Sequence, residues 1–85
     1  MRKLIVAVLI TTSTTAFASD KDVGYCAAFH LAQGNTKYAD RVILKGKDMF
    51  AVKAAAREWM DLALTNESSA IKRGTASCFS LGLKA

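Results

Sequence analysis

The segment VGYCAAFHL, residues 23–31, contains Cys26, and the second cysteine, Cys78, lies near the C-terminal end of the chain. The spacing of the apolar residues in this stretch indicates a helix with Cys26 on its inward side. One cysteine pair that spans nearly all of a small chain is typical of a structural disulfide in an exported protein. The sequence therefore predicts a helical domain closed by a Cys26–Cys78 disulfide in an oxidising compartment.

The N-terminal residues 1–18 have the three parts of an export signal. A basic start, Arg2 and Lys3, precedes an apolar run at residues 4–10, and the small-x-small motif AFA follows at residues 16–18. The run is too short for a membrane-spanning helix, which needs about 20 mostly apolar residues. We therefore predict that residues 1–18 are a cleaved signal peptide and that the protein is periplasmic or secreted.

The predicted mature chain, residues 19–85, is long enough for a single helical domain. A domain of this size buries only about 60% of its unfolded surface and is marginally stable by itself. A bond between Cys26 and Cys78 closes most of this chain into one loop, for which the chain-entropy model gives roughly 4 kcal/mol of stabilisation. The disulfide is therefore expected to supply much of the stability of the domain.

The sequence predicts an all-α fold, a small three-helix bundle with a long middle helix. Proline is absent, and apolar residues recur every three or four positions. The predicted helices span residues 21–33, 37–64 and 70–83, and the disulfide joins the first to the third while the middle helix lies against both. Within the middle helix, Gly46 marks a kink, a break or a point where another helix approaches closely.

The middle helix is expected to turn one apolar stripe toward the core. The direction of this stripe shifts by about 70° between the two halves of the helix, as in a helix that contacts different neighbours along its length. The stripe consists of Tyr38, Val42, Ile43, Met49 and Phe50 in the first half and Val52, Ala56, Trp59, Met60 and Ala63 in the second. Large side chains of both halves are therefore predicted to fill the core.

The second half of the middle helix also carries the candidate protein-binding surface. Trp59 and Leu62 lie on the side toward which the stripe turns, and a displaced apolar edge escapes cover by the other two helices. Arg57 and Asp61 form the polar rim of this surface. The alternative is that Trp59 and Leu62 are buried, because so small a domain has few other large residues with which to fill its core.

The sequence contains no catalytic, cofactor-binding or metal-binding motif. His30 is the single histidine and no Cys-x-x-Cys motif is present, which excludes a histidine metal cluster, a thiol-exchange motif and covalent haem. His30 is interpreted as a packed residue, with a pH-sensing role as the alternative. Glu58 and Asp61 are neighbours on the helix surface, but Arg57 favours an ion pair over acid–base chemistry. The serines lack a nucleophile motif, so we predict that the protein is not an enzyme and has no cofactor.

The charge pattern excludes nucleic acid as a partner. The chain has 12 lysines and arginines against 7 acidic residues, a net charge of +5, and the loss of residues 1–18 leaves +3. Acidic residues interrupt the basic ones, and no basic run is interleaved with aromatic residues in the way that follows a nucleic-acid backbone.

The function predicted from these patterns is binding of another protein. We expect a non-catalytic exported protein that acts on an unidentified protein of the periplasm or envelope, as an inhibitor, a chaperone-like protein or an accessory factor. The alternative is a basic helical peptide at a membrane surface. Membrane contact is less favoured because the chain lacks a clean basic face opposite a continuous apolar one.

The predicted export signal determines where the mature protein begins. We expect cleavage between Ala18 and Ser19, because the AFA motif follows the apolar run at the spacing of a signal-peptidase site. The intact mass of the exported protein measures this N-terminus directly. A membrane-bound form that retains residues 1–18 would contradict both the predicted location and the single mature domain.

Overall fold

Four helices make up the part of the chain that the computed structural model describes, residues 19–85. They are α1 (Asp20–Ala32), α2 (Thr36–Ile43), α3 (Met49–Thr65) and α4 (Glu67–Ser80). The predicted signal peptide lies outside the described residues. The prediction of an all-α domain with one disulfide is confirmed, and the predicted middle helix is divided into α2 and α3.

Local polar residues and one glycine set the ends of several helices. The side chains of Ser19, Asp48 and Asn66 cap α1, α3 and α4, each by accepting hydrogen bonds from N–H groups of the first turn. Gly34, with a φ of 86°, follows the end of α1 in a conformation that favours glycine. These signals are local in the sequence, so the helix ends that they set need no long-range contact.

A break after α2 divides the predicted middle helix, and a contact with α1 stabilises it. Gly46 lies in the break, where a Cβ atom would overlap Cγ2 of Val52. The Asp20 carboxylate at the start of α1 accepts hydrogen bonds from the backbone N–H groups of Lys47 at 2.8 Å and Asp48 at 3.1 Å. Gly46 is therefore both a break and a point of close approach, two of the three roles that the sequence allows it.

The central helix of the domain is α1, and the other three helices pack around it. Its buried residues are Val23, Gly24, Tyr25, Cys26, Ala27, Ala28 and His30. Because these residues lie on nearly every side of α1, the neighbouring helices must surround it. The predicted contact of the middle helix with both other helices is confirmed: α3 packs on α1 and α4, and α2 packs on α1.

Two glycines allow the neighbouring helices to approach α1 closely. A Cβ atom at Gly24 would lie 2.5 Å from the Val52 carbonyl oxygen and 2.9 Å from the Ala56 nitrogen, both in α3. A Cβ atom at Gly74 of α4 would lie 2.6 Å from Cγ of Phe29 in α1. Because these distances are shorter than normal carbon contacts, larger residues at either position would push the helices apart.

The disulfide between Cys26 and Cys78 joins α1 to α4, as predicted. Both cysteines are fully buried, their Cα atoms are 4.9 Å apart, and they are 52 residues apart in the sequence. The core cluster around the bond also contains Val23, Ala27, Ala39, Val42 and Val52. Residues from α1, α2, α3 and α4 therefore meet at this bond.

Loss of the disulfide is expected to unfold most of the protein. Either Cys26→Ser or Cys78→Ser should lower the free energy of unfolding by roughly 2–5 kcal/mol, because the bond restricts the unfolded chain of a domain with a small core. Thermal melts of the oxidised, reduced and substituted proteins, followed by circular dichroism, measure the loss. Equal melting temperatures for the oxidised and reduced wild type would show that packing alone holds the fold.

Candidate docking surface

Trp59 lies in the core and not on an exposed surface. Its side chain is 4% exposed, its indole N–H donates a hydrogen bond to the Ala70 carbonyl oxygen at 2.7 Å, and its ring contacts Phe29 edge to face. Trp59 belongs to a second core cluster, which also contains Tyr25, Ala28 and Ala55. A buried indole needs such an acceptor, and the hydrogen bond joins α3 to the first turn of α4.

The other three residues of the predicted binding surface differ in exposure. Leu62 is half-buried and packs against the cluster around Trp59. Arg57 and Asp61 are exposed. The sequence allows Trp59 to be exposed or buried, and in the structure it is buried. Its indole is therefore not available to a partner. The binding role of the exposed pair stays a prediction.

A line of exposed residues follows another side of α3 and forms what we call the outer face. The outer face consists of Phe50, Lys53, Arg57, Met60 and Leu64, spaced alternately three and four residues apart. Residues at this spacing lie one above the other along a helix. Phe50 is 87% exposed, Leu64 86% and Met60 41%, and both cations are exposed as well. The outer face therefore presents two cations between apolar side chains.

The expectation that Met49, Phe50 and Met60 face the core is wrong, because all three are exposed. Where α1 passes α3 at Gly24, the inward side of α3 presents Ala55, whose Cβ atom would lie 2.6 Å from a Cβ atom at Gly24. Only small side chains fit between helices at so short a separation. The larger residues at the start of α3 are therefore turned to solvent.

Glu58 contacts a buried tyrosine on the flank of α3 away from the outer face. The Tyr25 hydroxyl donates a hydrogen bond to the Glu58 carboxylate. Burial raises the pKa of Tyr25, the hydrogen bond and the negative charge of Glu58 raise it further, and the positive charge of Arg73 opposes them. Glu58 is thus engaged with Tyr25.

His30 is buried beside the disulfide, and both of its ring nitrogens have hydrogen-bond partners. Nε2 lies 2.9 Å from the Lys84 carbonyl oxygen, and Nδ1 lies 3.2 Å from the Asn35 side-chain nitrogen. Because a carbonyl oxygen only accepts, Nε2 carries the proton and Nδ1 accepts from Asn35. The ligand atoms of His30 and the two cysteines lie within 4.8 Å of one another, but the disulfide and the hydrogen bonds occupy them. In this oxidised form the cluster joins the C-terminal residues to α1.

A surface depression of about 570 Å³ lies beside the turn between α1 and α2. Lys37, Arg41 and Lys84 contribute cations to its lining, and Tyr38 contributes an aromatic wall. Every buried side-chain polar atom within residues 19–85 has a hydrogen-bond partner, so no unpartnered buried group is directed into this depression. The outer face differs from it in presenting large apolar side chains to solvent.

Comparisons with known proteins give no identification. No protein-family model, curated protein or solved structure matches the chain. The interpretation of the outer face therefore depends on its geometry and charge.

Substitutions on the two sides of α3 should differ in their effect on stability. Trp59→Ala is expected to lower the free energy of unfolding by roughly 3–5 kcal/mol, because it leaves a cavity and removes the hydrogen bond to Ala70. Phe50→Gln and Leu64→Gln should each change it by less than about 0.5 kcal/mol, because both side chains are exposed. Urea unfolding of the oxidised proteins measures all three. A loss at Phe50 or Leu64 as large as that at Trp59 would place the outer face in the core.

Proposed function

We propose that this chain is an exported, non-catalytic protein that acts by binding another protein through the outer face of α3. The observation that carries the proposal is the exposure of Phe50 and Leu64, 87% and 86%, on a helix whose other side is packed in the core. Grouped apolar side chains in solvent are typical of interaction sites, and aromatic residues, methionine and arginine are enriched where proteins meet. The outer face combines all three of these residue types.

The helix that carries the outer face is fixed at both ends. Asp48 caps its first turn, its first half packs closely on α1 at Gly24, and Trp59 joins its second half to α4. A surface that is already ordered loses little conformational entropy when a partner binds. This rigidity supports docking of a partner onto a preformed helix.

The non-catalytic part of the proposal is supported by the bonds that the reactive side chains already make. The two cysteines are joined to each other, both nitrogens of His30 are hydrogen-bonded, and Glu58 accepts from Tyr25. A nucleophile or a general base has to reach a substrate. The two cysteines and His30 are instead buried, and the exposed Glu58 is paired with Tyr25.

Export is supported by the disulfide, which is consistent with an oxidising compartment. The predicted signal peptide, residues 1–18, is the segment that directs the chain to export. We place the protein in the periplasm or outside the cell, with a secreted or envelope protein as its partner. An inhibitor, a chaperone-like protein and an accessory factor all act through a contact of this kind.

A second candidate function is attachment to an anionic membrane surface. It is favoured by the two cations, Lys53 and Arg57, among exposed apolar side chains. None of the helices in residues 19–85 has the length and apolar character needed to cross a membrane. Protein docking is the better supported function because the cations lie inside the apolar line and not on a separate basic face.

The proposal predicts that partner binding depends on the outer face while folding does not. Oxidised protein of residues 19–85 is used to capture a partner from an envelope extract, and the purified partner is then titrated against each variant. We expect Phe50→Gln with Leu64→Gln to weaken binding by about tenfold or more, since central apolar anchors carry most of the energy of an interface.

The matched control is Phe79→Gln, which changes a 68% exposed aromatic residue on α4. It should leave the affinity for the partner unchanged. Equal affinities for the wild type and the double variant, with both proteins folded, would overturn the proposal.

A further inference from the structure

We propose that the partner at the outer face is an acidic amphipathic helix, with its carboxylates against Lys53 and Arg57 and its apolar side chains against Phe50, Met60 and Leu64. This inference rests on the proposed docking function and specifies the chemistry of the partner. Three features of the outer face support it: the helical spacing of its residues, the order of its charged and apolar side chains, and its poor fit to a second copy of the chain or to a lipid surface.

The repeat of the outer face matches another helix. Alternating steps of three and four residues are the spacing at which one helix packs along a second. From Phe50 to Leu64 the line rises about 21 Å along α3 at 1.5 Å per residue, which is about four turns of a partner helix. At one end, Met49, Phe50 and Lys53 surround a hollow of about 110 Å³ that can receive an apolar side chain.

The order of charges along the outer face determines what the partner must present. The two cations occupy the centre of the line, and apolar side chains occupy both ends. No acidic residue belongs to the line: Asp61 lies beside it, and Glu58 binds Tyr25 on the far flank. A helix with central carboxylates and apolar ends complements both parts, and charge complementarity of this kind sets specificity at interfaces.

A second copy of this chain is a poorer fit. If two outer faces pair in antiparallel fashion about Arg57, this residue meets the same residue of the other copy, while Lys53 is level with Asp61 beside the line. If they pair in parallel, each cation meets its own counterpart. Both arrangements bring like charges or unpaired cations into the contact, which is unfavourable. The partner therefore has to supply negative charge.

An anionic lipid surface is also a poorer fit. On a membrane-bound helix the apolar residues enter the acyl region while the cations stay on a separate polar face. On the outer face the cations lie between Phe50 and Met60 in the same line, so insertion of both ends would carry charge toward the lipid interior. A protein helix can instead place a carboxylate opposite each cation.

Synthetic helical peptides test this inference. Two glutamate peptides each carry five contact positions at the same three-and-four spacing. One presents them in the order apolar, acidic, acidic, apolar, apolar, and the other presents them in the reverse order. Matched peptides have glutamine or lysine in place of the two glutamates. Fluorescence anisotropy with oxidised protein of residues 19–85 gives the dissociation constants. We expect the glutamate peptide of one order to bind about tenfold or more tightly than its glutamine match, and the lysine peptide to bind least.

Reversal of charge on the chain provides the matched control. Lys53→Glu with Arg57→Glu should reverse the preference, so that the lysine peptide binds about tenfold or more tightly than the glutamate peptide. Lys72→Glu, at an exposed position of α4, should keep the wild-type preference. Added salt should weaken binding of the glutamate peptide to the wild type. The peptide comparison on the wild type decides the question even if a chain variant does not fold.

Four results would overturn the acidic partner: no binding of any glutamate peptide, equal affinity for the glutamate and glutamine peptides, binding of phosphatidylglycerol vesicles in place of peptide, or self-association of the wild type through the outer face. Docking by the outer face still stands if Phe50→Gln with Leu64→Gln abolishes binding of the captured partner. If that binding is unchanged in the double variant, the proposed function itself fails.

Discussion

The Cys26–Cys78 bond holds α1 against α4, and the positions of the other helices depend on this pair. The domain is small, so its apolar core alone gives marginal stability, and a bond that restricts the unfolded chain adds an amount comparable to the whole. With α1 and α4 joined, α2 and α3 cover the remaining sides of α1. The Asp20 carboxylate then positions the start of α3 through the backbone N–H groups before it.

Close packing around α1 decides which side chains remain in solvent. At Gly24 and Gly74 the neighbouring helices approach so closely that a single added carbon would collide. A core built this way has room for one large indole, Trp59, and for many alanines and valines, but not for every large apolar residue of α3. Phe50 and Leu64 are left outside. Exposed side chains of this size favour association with another molecule because water solvates them poorly.

In the interaction that we propose, the two cations within the outer face select among partners. Apolar side chains alone would bind any apolar surface, whereas Lys53 and Arg57 in the centre of the line make contact with a basic or neutral surface less favourable. The folded domain keeps these five positions in register because α3 is capped, packed and hydrogen-bonded along its length. In the proposed interaction, specificity is therefore a property of one ordered helix.

Caps and apolar spacing act locally and two cysteines allow one pairing, so the helical character of the chain and the Cys26–Cys78 bond were predictable from the sequence. At Gly46 the sequence allowed a kink, a break or a close approach and did not choose among them. It did not decide which large apolar residues of α3 are buried. The predicted stripe correctly places Val52 and Trp59 in the core, but it places Met49, Phe50 and Met60 there as well. The fold settles this through two contacts between helices, the close approach of α1 at Gly24 and the hydrogen bond from Trp59 in α3 to Ala70 in α4. The same contacts buried Trp59 and left the outer face in solvent.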